Sequence, residues 1–366
     1  MRARAEAEHA AVVVAGERAL DGRVAATTHA TYVVVVEARV FPLSHVSQYA
    51  KSALVPDRAE LPDRARQWVL ASVPGAARIA SVERLHGGIS AQTHLLEVAR
   101  ADGACALQVV LKRHTSTWPA PQPAAAVEAA TLVALSNVTL PFAVPQLIAH
   151  DPLGRVCDLP ALLMTRARGK IALELTGWEQ RVSALGRALA GFHALQVACP
   201  ASLSDYDIGL ERRQKAVPAG IEAPDWSRVW PLVEARSWRG DALLHGDYHL
   251  GNALFEAGEL TGVIDWATAR RGPQELDVSY CRLDLAMVIG PAAPPIFTAA
   301  YEAVRGTKLD ELGLWDAAAS LQAYPDPASW LPGWLDAGRD DLTPELIRSR
   351  LCDFVACALA AASLSR

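Results

Sequence analysis

Short apolar runs broken by turn residues fill the first half of this chain, and longer stretches of helical spacing fill most of the second. The runs 81–85 and 93–98 carry alternating or β-branched residues and read as two strands, joined by His86-Gly87-Gly88-Ile89-Ser90-Ala91, where paired glycines permit a tight turn. A Val-rich segment over 105–111 reads as a third strand and ends in Lys112-Arg113. A Pro-rich loop (Trp118-Pro119-Ala120-Pro121-Gln122-Pro123) leads into 124–135, where strong helix formers and apolar residues at helical spacing enclose Glu128. Two further strand-like segments, 144–149 and 159–164, flank the turn Asp151-Pro152-Leu153-Gly154. After the polar passage Thr165-Arg166-Ala167-Arg168-Gly169 the spacing becomes helical, first over 178–195. Residues 1–60 extend neither period, apart from a strand-like run at 31–36, and read as a poorly ordered extension.

One hairpin interrupts the helical half. The runs 253–255 and 260–264 are apolar or β-branched, and Glu256-Ala257-Gly258-Glu259 between them is a turn signal. Asn252 enters the first strand and Asp265 leaves the second, so antiparallel pairing sets both at one end of the ribbon, beside the loop that carries Asp247. The interval from Asp247 to Asn252 in His245-Gly246-Asp247-Tyr248-His249-Leu250-Gly251-Asn252 is that of the protein-kinase catalytic loop H-R-D-x-x-x-x-N.

With its flanks, this segment resembles the aminoglycoside phosphotransferase and choline kinase family of small-molecule kinases, in which HGDxxxxN and IDxxxA replace the protein-kinase signatures. The resemblance runs from about Leu61 to the C-terminus. It implies an α+β, two-lobed, protein-kinase-like fold, with a small antiparallel β-sheet N-lobe over 61–164 and a larger, mainly helical C-lobe over 165–366. It also implies ATP, with GTP as the other candidate nucleotide, and Mg²⁺. By the same resemblance Asp247 is the catalytic base, and Asn252 and Asp265 are the metal ligands. Lys112 ends a strand similar to V-A-I-K and would pair with the phosphates, oriented by Glu128. Gly87, Gly88 and Ser90 would let the backbone approach phosphate. Met164 falls near the gatekeeper position of the hinge, and the backbones of Thr165 and Ala167 would face adenine. Leu250 departs from the family, standing where many members have Pro.

Composition narrows the partners. A net charge of -5 and a pI near 6.1 lack the basic surface that nonspecific nucleic-acid binding needs. No apolar run approaches the roughly 20 residues of a membrane helix, and the N-terminus makes a poor signal peptide, so the cytoplasm is the expected compartment. Cysteines 105, 157, 199, 281, 352 and 357 are scattered without C-x-x-C pairs, as reduced residues are. The expected partner is a small-molecule hydroxyl acceptor, and the sequence is silent on oligomeric state.

Acids outnumber bases twelve to seven over 271–350, which suits a cationic acceptor, although surface solvation accounts for it equally. Trp226 and Trp230, like Trp330 and Trp334, are four apart; core packing is the favoured use, and walls for a quaternary ammonium the other. His193 reads as a structural histidine, and Asp277 as a helix cap or loop anchor. Two other classes share some of these residues. His245-x-Asp247-x-His249 could belong to a metal-dependent hydrolase, and the whole chain could be a nucleotide-binding module without catalysis.

Overall fold

The computed structural model describes residues 61–85, 90–115 and 122–364. The extension at 1–60, with its strand-like run, and the glycines Gly87 and Gly88 lie outside the described residues. A helix that the sequence reading left out comes first, α1 (Asp63–Ser72). It is followed by β1 (Ala76–Leu85), β2 (Ala91–Arg100), β3 (Leu107–His114), α2 (Ala124–Leu135), β4 (Leu147–Asp151) and β5 (Ala161–Thr165). The strands form one antiparallel sheet in the order β1-β2-β3-β5-β4. Strand β3 starts at Leu107 instead of Cys105 and runs past Lys112, which therefore lies inside the strand, opposite Thr93 on one side and Leu162 on the other.

Period-two alternation then decides what Lys112 faces. Val109 and Leu111 are fully buried on one side of the sheet, in a core shared with Trp68 and Val69 of α1, Leu96, Val98 and Leu163. Val110 turns the other way, into a second core with Leu162, Met164 and the buried side of α2, and Lys112 follows it onto that face. Helix α1 is thus the cover of the sheet's far side. Trp68→Ala is expected to cost about 3–5 kcal/mol, which urea unfolding would register as a lower midpoint; an unchanged midpoint would mean that α1 is not part of the folded core.

The rest of the described chain is mainly helical: α3 (Trp178–Ala194), α4 (Trp226–Glu234), α5 (Glu275–Val288), α6 (Ala293–Arg305), α7 (Leu312–Ser320), α8 (Leu331–Asp336) and α9 (Pro344–Leu364). Helices α3 and α6 can approach closely because Gly186 has no side chain: a Cβ there would lie 2.4 Å from the Phe297 carbonyl oxygen. Between α4 and α5 come β6 (Ala242–Leu244), β7 (Ala253–Glu256), β8 (Glu259–Val263) and β9 (Arg270–Gly272), paired as two small antiparallel ribbons, β6 with β9 and β7 with β8.

Trp226 and Trp230 take the core role, packing edge-on against Tyr324 with ring centroids 5.2 and 5.3 Å away. All six cysteines are free. Among the described residues no helix is long and apolar enough to cross a membrane.

Candidate active site

The two ribbons assemble the polar cluster. Pairing of Ala253 with Val263 brings the residues just outside the hairpin together, and the Ile264 N–H donates to the Asn252 carbonyl at 2.9 Å. Pairing of β6 with β9 carries the loop after Leu244 alongside Thr268, whose hydroxyl donates to the His245 carbonyl at 3.2 Å. Gly246 sits at φ +80°, and a Cβ there would lie 2.3 Å from the Thr268 carbonyl oxygen, so both its conformation and its surroundings require glycine.

His245 is fully buried and has a structural part. Its Nε2–H donates to the Ile264 carbonyl at 3.0 Å, while Nδ1 accepts the Asp247 N–H at 3.3 Å. A carbonyl can only accept and an amide N–H can only donate, which fixes the neutral tautomer; burial lowers the imidazole pKa in the same sense. Neither ring nitrogen keeps a lone pair for a metal, which removes one of the three ligands of the hydrolase alternative. Asp277 is the loop anchor that the sequence offered as one of two uses. From the first turn of α5 its two carboxylate oxygens accept the His245 and Gly246 N–H groups at 2.7 and 2.8 Å.

Lys112 closes the cleft from the sheet side. Its Nζ donates to Glu128 Oε2 and to Asp265 Oδ1, both at 2.7 Å. The side chains of Lys112 and Glu128 are 7% and 2% exposed, whereas that of Asp265 is 31% exposed, so the cluster opens outward only at Asp265. Burial disfavours the lysine's charge, but Asp265 and then Glu128 outweigh it and raise its pKa. Burial likewise opposes the charge on Asp265, and Lys112 overrides it, holding that carboxyl below its ordinary value. Asp265 sits at φ 63°, a left-handed conformation that Asp tolerates better than most residues and that is common where geometry serves a site.

On the loop side, Asn252 Nδ2 donates to the Asp247 carbonyl at 2.8 Å and to its Oδ2 at 3.1 Å, which leaves the Asn252 Oδ1 as an available oxygen. The Tyr280 hydroxyl donates to Asp247 Oδ1 at 2.6 Å. Burial works against the Asp247 charge; the adjacent His249 and then the Tyr280 hydrogen bond outweigh it and hold the carboxyl well below the usual range.

Around Asp247 lie residues that the sequence left in other roles, and two, Tyr280 and Asp284, that it did not single out. His249 caps the short 3₁₀ turn Leu250–Asn252, its Nδ1 accepting the Gly251 N–H at 3.1 Å, and its ring lies 5.2 Å from that of Trp334. Leu250, the departure from the family pattern, is buried in the core. The Trp330 ring lies 6.1 Å from that of Tyr280, so this tryptophan pair flanks the catalytic loop instead of serving only the core. Asp284 is buried with one oxygen unpartnered, and burial pushes its carboxyl up to about 7. Asp277, Tyr280 and Asp284 are spaced i, i+3, i+7 on one face of α5. Polar residues at that spacing on an apolar helix directly after Asp265 were the available signal. His193 is structural, its Nδ1 within 2.9 Å of the Tyr301 hydroxyl and its Nε2 3.5 Å from Asp277.

The remaining candidates are spread along the sheet. Met164 is buried on the Lys112 face, and Thr165 ends β5 with its N–H donated to the Gln146 carbonyl at 2.9 Å. Ala167 lies just beyond, half-buried. Ser90 directly precedes β2, and its carbonyl accepts the Thr115 N–H at 3.1 Å.

A family model described as "Phosphotransferase enzyme family" (APH) matches residues 81–342, well over half of the chain. The chain belongs to that family. As a phosphotransferase of this group it is a small-molecule kinase, and solved structures share its fold. An aminoglycoside phosphotransferase described as putative, from Ralstonia eutropha JMP134, is 16% identical with a TM-score of 0.55, covering 84% of this chain and all (100%) of its own. A thermostable mutant of aminoglycoside phosphotransferase APH(4)-Ia, in ternary complex with ADP and hygromycin B, is 13% identical with a TM-score of 0.54, covering 81% of this chain and 98% of its own. None of the curated proteins compared with this phosphotransferase matches it significantly.

Proposed function

We propose that this protein moves the γ-phosphate of ATP to a hydroxyl group of a small molecule, in a cleft between an N-lobe of residues 61–164 and a C-lobe of residues 165–366. Asp247 is the base that takes the acceptor proton. Lys112, held by Glu128, neutralises phosphate charge, and Gly87, Gly88 and Ser90 remain the candidate phosphate-contacting residues. Adenine sits by Met164 at the hinge. Because the Thr165 N–H is already donated to Gln146, the donor toward the base is that of Ala167.

The observation that supports this most is the pair of 2.7 Å contacts from one lysine to Glu128 and Asp265, with Asp247 tied to Asn252 across the cleft. Phosphoryl transfer needs positioning and charge neutralisation above all, and this set supplies both. The donor chemistry also fits Mg²⁺. Asp265 faces the opening and Asn252 keeps its amide oxygen, two hard oxygen donors, and Mg²⁺ is ordinarily held by one or two such groups together with substrate phosphates. When bound, the ion would neutralise charge on the phosphates. A non-catalytic module would be expected to have lost one of these groups.

Several of the acids over 271–350 are paired within the fold. Asp316 pairs with Arg282 at 2.8 Å, Asp326 with Arg348 at 2.8 Å, Asp341 with Arg339 at 2.6 Å, Glu302 with Lys308 at 2.6 Å, and Glu311 with Arg236. Most of these partners are bases of the same stretch, so the net excess remains, and surface solvation accounts for it as well as a cationic acceptor would.

The test is ADP release by the purified protein with ATP or GTP against aminoglycosides, macrolides, choline-like alcohols and sugars. At least one class should raise ADP formation, chelation of Mg²⁺ should abolish it, and Asp265→Asn should raise the KM for the nucleotide. No acceptor-dependent ADP from either nucleotide with any class would overturn the reading.

A further inference from the structure

Beside Gly246 lies a recess of about 20 Å³, bounded by Gly246, Tyr280, Tyr206, Arg270, Gln322 and Asp277 together with three apolar side chains. That is room for one water-sized polar group. Asp277 and Arg270 are the formal charges among these six residues, and Asp277 is spent, both its oxygens accepting backbone N–H groups. Arg270 is not. Its Nε donates to the Thr268 carbonyl at 2.9 Å, which holds the guanidinium carbon 5.6 Å from the centre of the Tyr206 ring, and among the described residues no carboxylate pairs with it. The adjacent Arg271, by contrast, is paired with Asp205 at 3.2 Å.

The neutral groups of the recess lean the same way. Gln322 Nε2 donates to the Tyr206 hydroxyl at 3.3 Å, while Gln322 Oε1 accepts from Arg212 at 2.9 Å. With its oxygen accepting, the Tyr206 hydroxyl has its proton left to donate. Arg270 and Tyr206 therefore present N–H and O–H donors. Such a surface matches oxygen atoms that only accept, and it repels an ammonium group. The recess also adjoins the proposed base through two of its walls: Gly246 precedes Asp247 in the chain, and the Tyr280 hydroxyl donates to Asp247 Oδ1 at 2.6 Å.

We propose that this recess is an acceptor subsite for an anionic oxygen, from a carboxylate or a phosphate group carried by the hydroxyl compound, with Arg270 as its main ligand and Tyr206 as a second donor. The proposal rests on the phosphotransferase reading of the site. It makes the acceptor a hydroxy acid or a phosphorylated alcohol, and it runs opposite to a polycationic acceptor. The small volume confines the anionic end, while the hydroxyl-bearing part extends toward Asp247.

The test is equilibrium binding, which does not require turnover. The protein is first loaded with Mg²⁺ and the non-hydrolysable nucleotide AMP-PNP, so that anions cannot occupy the nucleotide phosphate site. Four matched probes are then titrated by calorimetry: glycerate, glycerol phosphate, glycerol and aminopropanediol. At least one anionic probe should bind about tenfold or more tightly than glycerol and aminopropanediol, the size of effect a charge-assisted contact supplies. The better of the two anions distinguishes a carboxylate from a phosphate source. Arg270→Met should erase the preference, and Arg271→Met, which removes a paired arginine next to it, should keep it; melting temperatures of both variants report on folding. Equal binding of all four probes, preference for the amine, or an anion preference that survives Arg270→Met would each overturn the subsite while leaving the phosphotransferase reading standing. Failure of AMP-PNP to bind would remove both.

Discussion

Asp247→Asn is expected to lower kcat by about 10²–10⁴-fold, the usual worth of general-base assistance, while the affinity for Mg²⁺ and ATP stays at the wild-type level. The substitution keeps the shape of the side chain and removes its capacity to take a proton. In the wild-type protein both carboxylate oxygens are already oriented, Oδ1 by the Tyr280 hydroxyl at 2.6 Å and Oδ2 by Asn252 Nδ2 at 3.1 Å. These contacts steady the group that meets the acceptor hydroxyl, and their donors also lower its basicity. The loss should therefore fall on turnover, with little change in nucleotide binding. Steady-state ADP release with the best acceptor, together with nucleotide titration of the same variant, separates the two quantities. A variant that turns over like wild type would show that the base lies elsewhere; one that loses nucleotide binding as well would move Asp247 from proton transfer to the metal and phosphate side.

Much of this site was legible in the sequence because its residues are tied together by local rules. Asn252 and Asp265 bracket a hairpin whose turn and strands are written in a dozen residues, so pairing alone predicts that they meet. Lys112 and Glu128 are harder, being 16 residues apart and joined only through the tertiary fold, yet their contact followed from the family resemblance. What stayed hidden came from helices whose polar residues look like any solvated face. Tyr280 lies 33 residues from Asp247, and no short-range rule connects a tyrosine in an apolar helix to a loop on the other side of a ribbon. Composition likewise counts Asp316 and Asp326 but does not reveal that Arg282 and Arg348 hold them. Helix α1 was readable from Ala65, Trp68 and Val69 at i, i+3, i+4 after Pro62-Asp63; only its place against the back of a sheet formed later in the chain was hidden.

Removing the anchor of the catalytic loop should cost both stability and activity, and Asp277→Ala is the substitution that does so. It leaves the buried His245 and Gly246 N–H groups without acceptors, at about 1–3 kcal/mol each, so about 2–6 kcal/mol in all. The same change frees the loop that ends in Asp247, and a displacement of about 1 Å at a reacting group is worth roughly 10²-fold in rate. A dependence on pH identifies the cause. Burial raises the Asp277 pKa, but the neighbouring His193 and the hydrogen bonds from the His245 and Gly246 N–H groups outweigh it, so the folded value lies below the ordinary one. A depressed carboxylate stabilises the fold fully above its unfolded pKa, near 4, and that contribution fades as the pH falls through the folded value. The stability gap between wild type and Asp277→Ala should thus be widest above about pH 5 and shrink as the pH drops below 4. Urea unfolding at a series of pH values, paired with kcat measured where both proteins are folded, checks the two halves separately. A gap that stays constant into acid would mean that the carboxylate charge is not what holds the loop, and a fully active variant would mean that the ribbon of β6 and β9 positions Asp247 without it.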